Sequence, residues 1–293
     1  MEPMKKRTAA YMALTGALVV FVIKLVAYII SNSVALLSDA LETVVNIVAS
    51  AIVVLSVRVS ERPADEGHKY GHEKVEDISS AFEGTIIIAA AAFIVITALS
   101  RVFAPVELIQ LNLAIVVSMI ASGINAGISL VLQRTADEKG SMALEGDAKH
   151  LMSDVISSLG VWIGLVIVQF TGWLFIDTLL AIIVAAAITR MGVDLLKRSL
   201  GRLMDKSCPE EEEVIIDVLG NLGPRLIEYH DLKTRRQGDR VLAEVHLTVE
   251  DEMTVRAAHD IVDRFEANLH ERARNIDLTV HLDPLTELEP DEE

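Results

Sequence analysis

The sequence predicts an α-helical membrane protein in which a bundle of six transmembrane helices precedes a small cytoplasmic α+β domain. Three observations carry that fold class. Six apolar runs of membrane-crossing length recur before residue 190, strand-like alternation replaces them after Pro209, and the charge changes in step. The 293 residues are 52% hydrophobic and only 4% aromatic, with a formal charge of -16. Residues 208–293 hold 23 Asp+Glu against 9 Lys+Arg, a net of -14, which leaves -2 for the first 207 residues. An acidic half of this kind lacks the basic footprint of a nucleic-acid binder and suits a solvated domain with affinity for cations. The single cysteine, Cys208, excludes an intramolecular disulfide and every cysteine-rich zinc site. Oxygen and imidazole remain as metal ligands.

The apolar runs are Ala9–Ile30, Ser33–Val57, Ile78–Leu99, Leu111–Leu132, His150–Phe170 and Thr171–Ile188. A helix rising about 1.5 Å per residue needs roughly 20 residues to cross a hydrocarbon core, and each run approaches or exceeds that length. The first run is too long for a cleaved signal peptide and has no small-residue cleavage site, so it reads as a span. Lys5, Lys6 and Arg7, then Arg58, Arg62, Lys69 and Lys74, then Arg134 and Lys139, and finally Lys197, Arg198 and Arg202 crowd one side of the predicted bundle. The other side has only Arg101. Positive charge marks the cytoplasmic face, so both termini are expected in the cytoplasm.

From Pro209 the period changes. Glu210–Leu222 reads as a helix, Leu226–Arg236 and Arg240–Glu250 as strands, Thr254–His270 as a helix and Ile276–Asp283 as a last strand. That order, αββαβ, makes a small layered domain with helices on one sheet face. The expected boundaries are 1–207 for the bundle, 208–286 for the small domain and 287–293 for an acidic disordered tail.

Two spans share a pattern of polar residues. SDALETVVNIVAS begins at Ser38 and GDAKHLMSDVISS at Gly146, and without gaps Asp39, Glu42 and Asn46 stand opposite Asp147, His150 and Asp154. Spacings of i, i+3 and i+7 put each trio on one helix face. Ionisable groups deep in a membrane cost about 2.5–3.5 kcal/mol on insertion scales and mark ion or proton paths. Two such faces turned together build a four-ligand cation site from Glu42, Asn46, His150 and Asp154. Asp39 and Asp147, one turn nearer the helix starts, would orient those ligands or line the path. Glu83 and Lys24 have weaker claims, since either can lie near the membrane surface.

The connection RPADEGHKYGHEKVED holds Asp65, His68 and His72 at ligand-like spacing, a pattern that a solvated loop with two exposed histidines also produces. In the strands, Val241, Ala243, Val245, Leu247 and Val249 share one face, as do Ile276, Leu278, Val280 and Leu282. His246, His281 and Asp283 therefore take the polar sides, either as ligands or as part of an acidic surface. Neither a Walker A loop nor an HExxH motif occurs.

SNSVALLSDALE, ADEGHKYGHEKVE and GDAKHLMSDVISSLGV together resemble the cation diffusion facilitator family, and in particular its bacterial ferrous-iron and zinc efflux branch. The resemblance runs over nearly the whole chain. It implies that Glu42, Asn46, His150 and Asp154 bind the transported divalent ion, and that Asp65, His68 and His72 form a loop site. It also implies that Lys74 and Asp205 form an interlocking salt bridge, and that the small domain is a metallochaperone-like dimer module. The ligands of that module's binuclear site fall on His230, His246, His259, His281 and Asp283. One departure stands out: Glu42 and Asn46 replace the two aspartates, or His and Asp, of similar zinc transporters. Three oxygens and one nitrogen fit zinc and equally suit ferrous iron, cobalt or manganese.

The expected function is secondary transport: a homodimer in a bacterial inner membrane exporting zinc, ferrous iron or a similar divalent ion in exchange for protons. His150 would be the proton carrier, and zinc would occupy the regulatory sites. No nucleic-acid partner and no catalytic residue is expected. A passive metal channel, a sensor and, less favoured, an intramembrane metalloenzyme are the alternatives.

Overall fold

A computed structural model describes residues 5–31, 34–103, 111–171, 174–223 and 226–287. The chain divides into two compact units, Met1–Leu200 and Gly201–Glu293.

The first unit is built from six long helices: α1 (Lys6–Ser31), α2 (Val34–Ser60), α3 (Lys74–Phe103), α4 (Leu111–Lys139), α5 (Met142–Thr171) and α6 (Leu174–Leu203). Each extends past its apolar run, because polar residues with good helix propensity continue the hydrogen-bond ladder after hydropathy falls. The largest correction to a helix start is at α5, which begins at Met142 and not at His150, with Ser141 Oγ accepting the Leu144 amide at its first turn. Among the described residues, Lys6–Ala27 and Lys74–Ile96 are long and apolar enough to cross a membrane. Outward-facing Val22, Ile29, Leu55, Phe93, Ile96 and Leu130 are all more than half exposed. An apolar exterior of this kind suits lipid.

Small residues pack the inside. Ala9, Ala10 and Ala13 of α1 meet Val53, Val54 and Val57 of α2, Leu132 and Ala136 of α4, and Ala143, Leu144, Ala148 and Leu151 of α5. Polar ties complete it. Glu76, buried in the first turn of α3, accepts Lys6 Nζ at 3.1 Å and Ser60 Oγ at 2.6 Å, and also takes the Ser141 hydroxyl. One carboxylate thus gathers the start of α1, the end of α2, and the starts of α3 and α5. Those ends share one side of the bundle, as up-and-down threading requires. Arg198 on α6 forks onto Glu145 of α5 at 2.6 and 3.1 Å.

α3 and α6 cross at two glycines. A Cβ on Gly84 would lie 3.0 Å from both the Gly192 carbonyl oxygen and the Leu196 amide nitrogen, backbone atoms that cannot turn aside. Gly84→Val is therefore expected to destabilise the bundle by about 1–3 kcal/mol. A fall in the thermal unfolding temperature of the purified protein would measure it, and an unchanged transition would show that the crossing is loose.

The second unit has α7 (Pro209–Gly220), β1 (Glu228–Gln237), β2 (Arg240–Val249), α8 (Val255–Arg272) and β3 (Ile276–Pro284), in the αββαβ order expected. β2 is central, antiparallel to β1 and parallel to β3, with α8 as the crossover. Val241, Ala243, Val245, Leu247 and Val249 are buried against Ile215, Val218 and Leu219 of α7 and Ala258, Ile261, Phe265 and Leu269 of α8. Thr254 Oγ1 caps α8 by accepting the Ala257 amide at 3.3 Å. Both helices therefore cover one sheet face and leave the other to the polar side chains.

Candidate metal centres

In the bundle, α2 and α5 run antiparallel where their polar faces meet. Asn46 touches Asp154, while Ser50, one turn further along α2, touches Asp147, two turns back along α5. Asn46 Nδ2 donates to Asp154 Oδ2 at 2.7 Å, and Asn46 Oδ1 lies 3.0 Å from His150 Nε2, which donates to it. Asn46 and His150 are buried and Asp154 is half-buried. A carboxylate, an imidazole and an amide oxygen thus converge, and protons occupy the contacts that a cation could take in their place. Three of the four residues expected to bind the transported ion come together. The side chains of Glu42 and Asp39, both in α2, lie outside the described ones. Asp147 accepts Ser50 Oγ at 3.2 Å, one turn before His150.

A second cluster lies in the α2–α3 connection. Asp65 Oδ1 accepts the amides of His68 at 2.7 Å and Gly67 at 2.9 Å, which fixes the carboxylate between the two imidazoles. His68 Nδ1 is 3.3 Å from Oδ1, His72 Nε2 is 3.4 Å from Oδ2, and the rings are 4.5 Å apart. The His68 amide, ahead of the Gly67 amide, holds the Asp65 carboxyl below the ordinary carboxylate range. The stabilisation from that depressed value is present above the unfolded-state pKa and is lost only as pH falls through the folded one. Metal ligation needs unprotonated imidazole, so zinc binding at this loop is expected to weaken on acidification, while the lowered Asp65 carboxyl keeps its charge longest. Zinc titrations at pH 7.5 and pH 5.5, in a chain whose other clusters carry alanine, would read this. Equal affinity at both values would mean the histidines are not ligands.

The third cluster rests on strand register. His230 pairs with His246 across β1 and β2, and His246 pairs with His281 across β2 and β3, so three imidazoles stand abreast on the polar sheet face. Their ring centroids are 5.1 and 4.8 Å apart. Asp283, two residues beyond His281 and on the same face, touches all three: His246 Nδ1 at 2.9 Å, His281 Nε2 at 3.1 Å and His230 Nε2 at 3.3 Å. An irregularity between His230 and Lys233, with Asp231 at a φ of 52°, interrupts the β1 register directly after His230. His230, His246 and Asp283 offer ligand atoms within 4.8 Å of one another.

His259 does not join this cluster within the chain. It is exposed on α8, where it pairs with Asp263 at 3.0 Å, and α8 covers the opposite, apolar sheet face. The sheet stands between. Asp205, at a φ of 53°, pairs with Arg235 at 3.4 Å inside the second unit, and Lys74 opens α3. Glu83 is the residue that sequence reasoning undervalued. Starting α3 at Ile78 put it beside the membrane surface, whereas a start at Lys74 sets it deeper, and it is fully buried. A lone acidic residue inside an apolar helix was the available signal.

Comparison with known proteins gives consistent matches. Residues 10–204 match the family model for the cation efflux transmembrane domain, and residues 208–285 match that for the cytoplasmic domain of cation efflux proteins. The chain is 34% identical over 280 residues to an uncharacterized transporter of Synechocystis, covering 95% of this chain and 90% of that one. It is 28% identical over 284 residues to the cation-efflux pump FieF of Shewanella oneidensis, covering 97% and 95%. The metal-bound C-terminal domain of the CzcD transporter from Thermotoga maritima is 27% identical, with a TM-score of 0.26, covering 27% of this chain and 93% of that domain.

Proposed function

This chain belongs to the cation diffusion facilitator family of cation-efflux proteins, and from that premise we propose that it exports zinc, ferrous iron or a similar divalent ion from the cytoplasm in exchange for protons. It is a transporter and not an enzyme. In this reading all six long helices cross the membrane, both termini face the cytoplasm of a bacterium, and two copies work together as a homodimer.

The observation that carries the reading is the meeting of Asn46, His150 and Asp154 between α2 and α5. The cation would take the Asn46 carbonyl oxygen, an imidazole nitrogen of His150 and an Asp154 oxygen, with Glu42 as fourth ligand. Ligation needs neutral imidazole and ionised carboxylate, so metal and protons compete for the same lone pairs. Alternating access then couples the two flows without a continuous pore. Metal held by the loop and sheet clusters would regulate the carrier, because an ion that binds only one conformation shifts the population toward it.

Purified protein in vesicles loaded with a pH-sensitive dye tests the exchange. Zinc, ferrous iron, manganese and cobalt, supplied in competition, should rank the substrates, with proton movement opposite to metal. Metal flux with no opposing proton signal would make the protein a passive channel.

Asn46→Asp tests the selectivity of the same site. It removes the amide that donates to Asp154 and adds a negative charge beside His150. Zinc affinity is expected to rise about tenfold, the size of one added charge-assisted ligand contact, with slower release. Unchanged affinity for every ion would mean that residue 46 does not face the metal.

A further inference from the structure

The transport site leaves a second group of buried acids unused. Glu83 on α3 and Asp147 on α5 are both 0% exposed. Among the described residues neither carboxylate oxygen of Glu83 has a hydrogen-bond partner, and the buried Ser80 hydroxyl one turn before it is in the same condition. Glu76, on the same helix, shows the ordinary solution to burial, with Lys6, Ser60 and Ser141 all donating to it. Glu83 has no such set.

Glycine brings Glu83 to α5. A Cβ on Gly146 would stand 3.1 Å from Glu83 Cγ and 3.3 Å from Ser80 Cα, so α3 lies directly on α5 at the residue preceding Asp147. Depth follows from helix rise. Glu83 is two turns, roughly 10 Å, beyond Glu76, and Asp147 is roughly 9 Å beyond Ser141, which touches Glu76. The two acids therefore lie at similar depth, between the Glu76 tie and the deeper pair His150 and Asp154.

Resting on the transport reading above, we infer that Glu83 and Asp147 form a second divalent-cation station in the bundle, through which the ion passes to or from Asn46, His150 and Asp154. Two buried carboxylates, one without a hydrogen-bond partner among the described residues and the other holding only the Ser50 hydroxyl, are costly, and a divalent cation removes that cost. The oxygens of Glu83, Asp147, Ser50 and Ser80 make a hard, nitrogen-free set. Such a set holds zinc less tightly than a site with imidazole, and a station that must release its ion requires that. Glu83 also returns to this region a carboxylate that Asn46 does not supply.

The test counts zinc bound by the full-length purified protein at equilibrium dialysis, in an Asp154→Ala background that disables the deeper site. Glu83→Gln, added to that background, should remove a further equivalent of zinc, and Asp147→Asn should do the same. Both changes are isosteric, and elution at the parental size verifies the fold of each. In vesicles with Asp154 intact, Glu83→Gln should raise the half-saturating zinc concentration about tenfold with little change in maximal rate. If neither change alters the zinc content of the Asp154→Ala chain, the station does not exist, even where slower proton movement shows that the pair holds a shared proton. Failure of the transport reading looks different. Asp154→Ala would then transport at the parental rate, whatever residue 83 is.

Discussion

Asp154→Ala is expected to abolish metal movement in vesicles, a fall of more than about 100-fold in kcat/KM, while the protein remains folded. Asp154 supplies the carboxylate of the α2–α5 cluster and receives the Asn46 amide at 2.7 Å. Removing it takes away the charge that holds a cation there and frees Asn46 to turn. His150→Ala should have an effect of similar size, because it deletes the imidazole from the same contact. The two losses should not add, since each alone destroys one site. Transport by either variant at the parental rate would remove the α2–α5 cluster from the mechanism. Lowering the pH on the metal-loading side should mimic both changes reversibly, because protons then hold the lone pairs that metal needs.

Asp283→Ala should have the largest effect outside the membrane unit. One carboxylate touches His230, His246 and His281 at 2.9–3.3 Å, so its removal costs the sheet cluster its negative charge and its geometric centre together. Zinc affinity of the cytoplasmic unit should fall by at least about 100-fold, the upper range for losing even an outer partner of a ligand. Calorimetric titration measures that directly. Transport should persist but lose its activation by metal, because the α2–α5 cluster is untouched. A variant that still bound zinc with parental affinity would show that the histidines hold metal without Asp283, or that no metal binds there. A variant that stopped transporting would make this cluster part of the path and not its regulator.

Much of this arrangement was legible in the sequence, and the failures have definite causes. Alternation in Val241–Val249 and Ile276–Leu282 assigned the buried and polar strand faces correctly, because a period of two admits only two outcomes. Resemblance grouped His230, His246 and His281, but alternation alone could not show which histidines stand abreast. That depends on register between strands, and the irregularity after His230 is a tertiary feature without a local signature. The matched trios of α2 and α5 brought Asn46, His150 and Asp154 together as helical spacing implied. Hydropathy found the middles of the helices but not their ends, since a polar first turn such as Lys74–Asp77 is as helical as the apolar stretch it precedes. That error of four residues is what made Glu83 look superficial. His259 was assigned by resemblance alone, as part of a dimer module, and within one chain it lies across the sheet from the other histidines.

The Glu76 tie sets where such a bundle can bend. It pins α1, α2, α3 and α5 at one end through a single carboxylate, so their relative motion there is confined to rotation about a common pivot. A helix of 30 residues such as α3 is a lever of roughly 45 Å. A tilt of about 10° at the pivot would sweep its far end through about 8 Å, but displace Glu83, only two turns away, by less than about 2 Å. Any tilting of the helices would thus be asymmetric, wide far from the Glu76 tie and small beside it. In the transport reading proposed above, an ion near the knot would meet side chains that move by little more than an atomic radius, whereas the distant ends of the helices would move several times further.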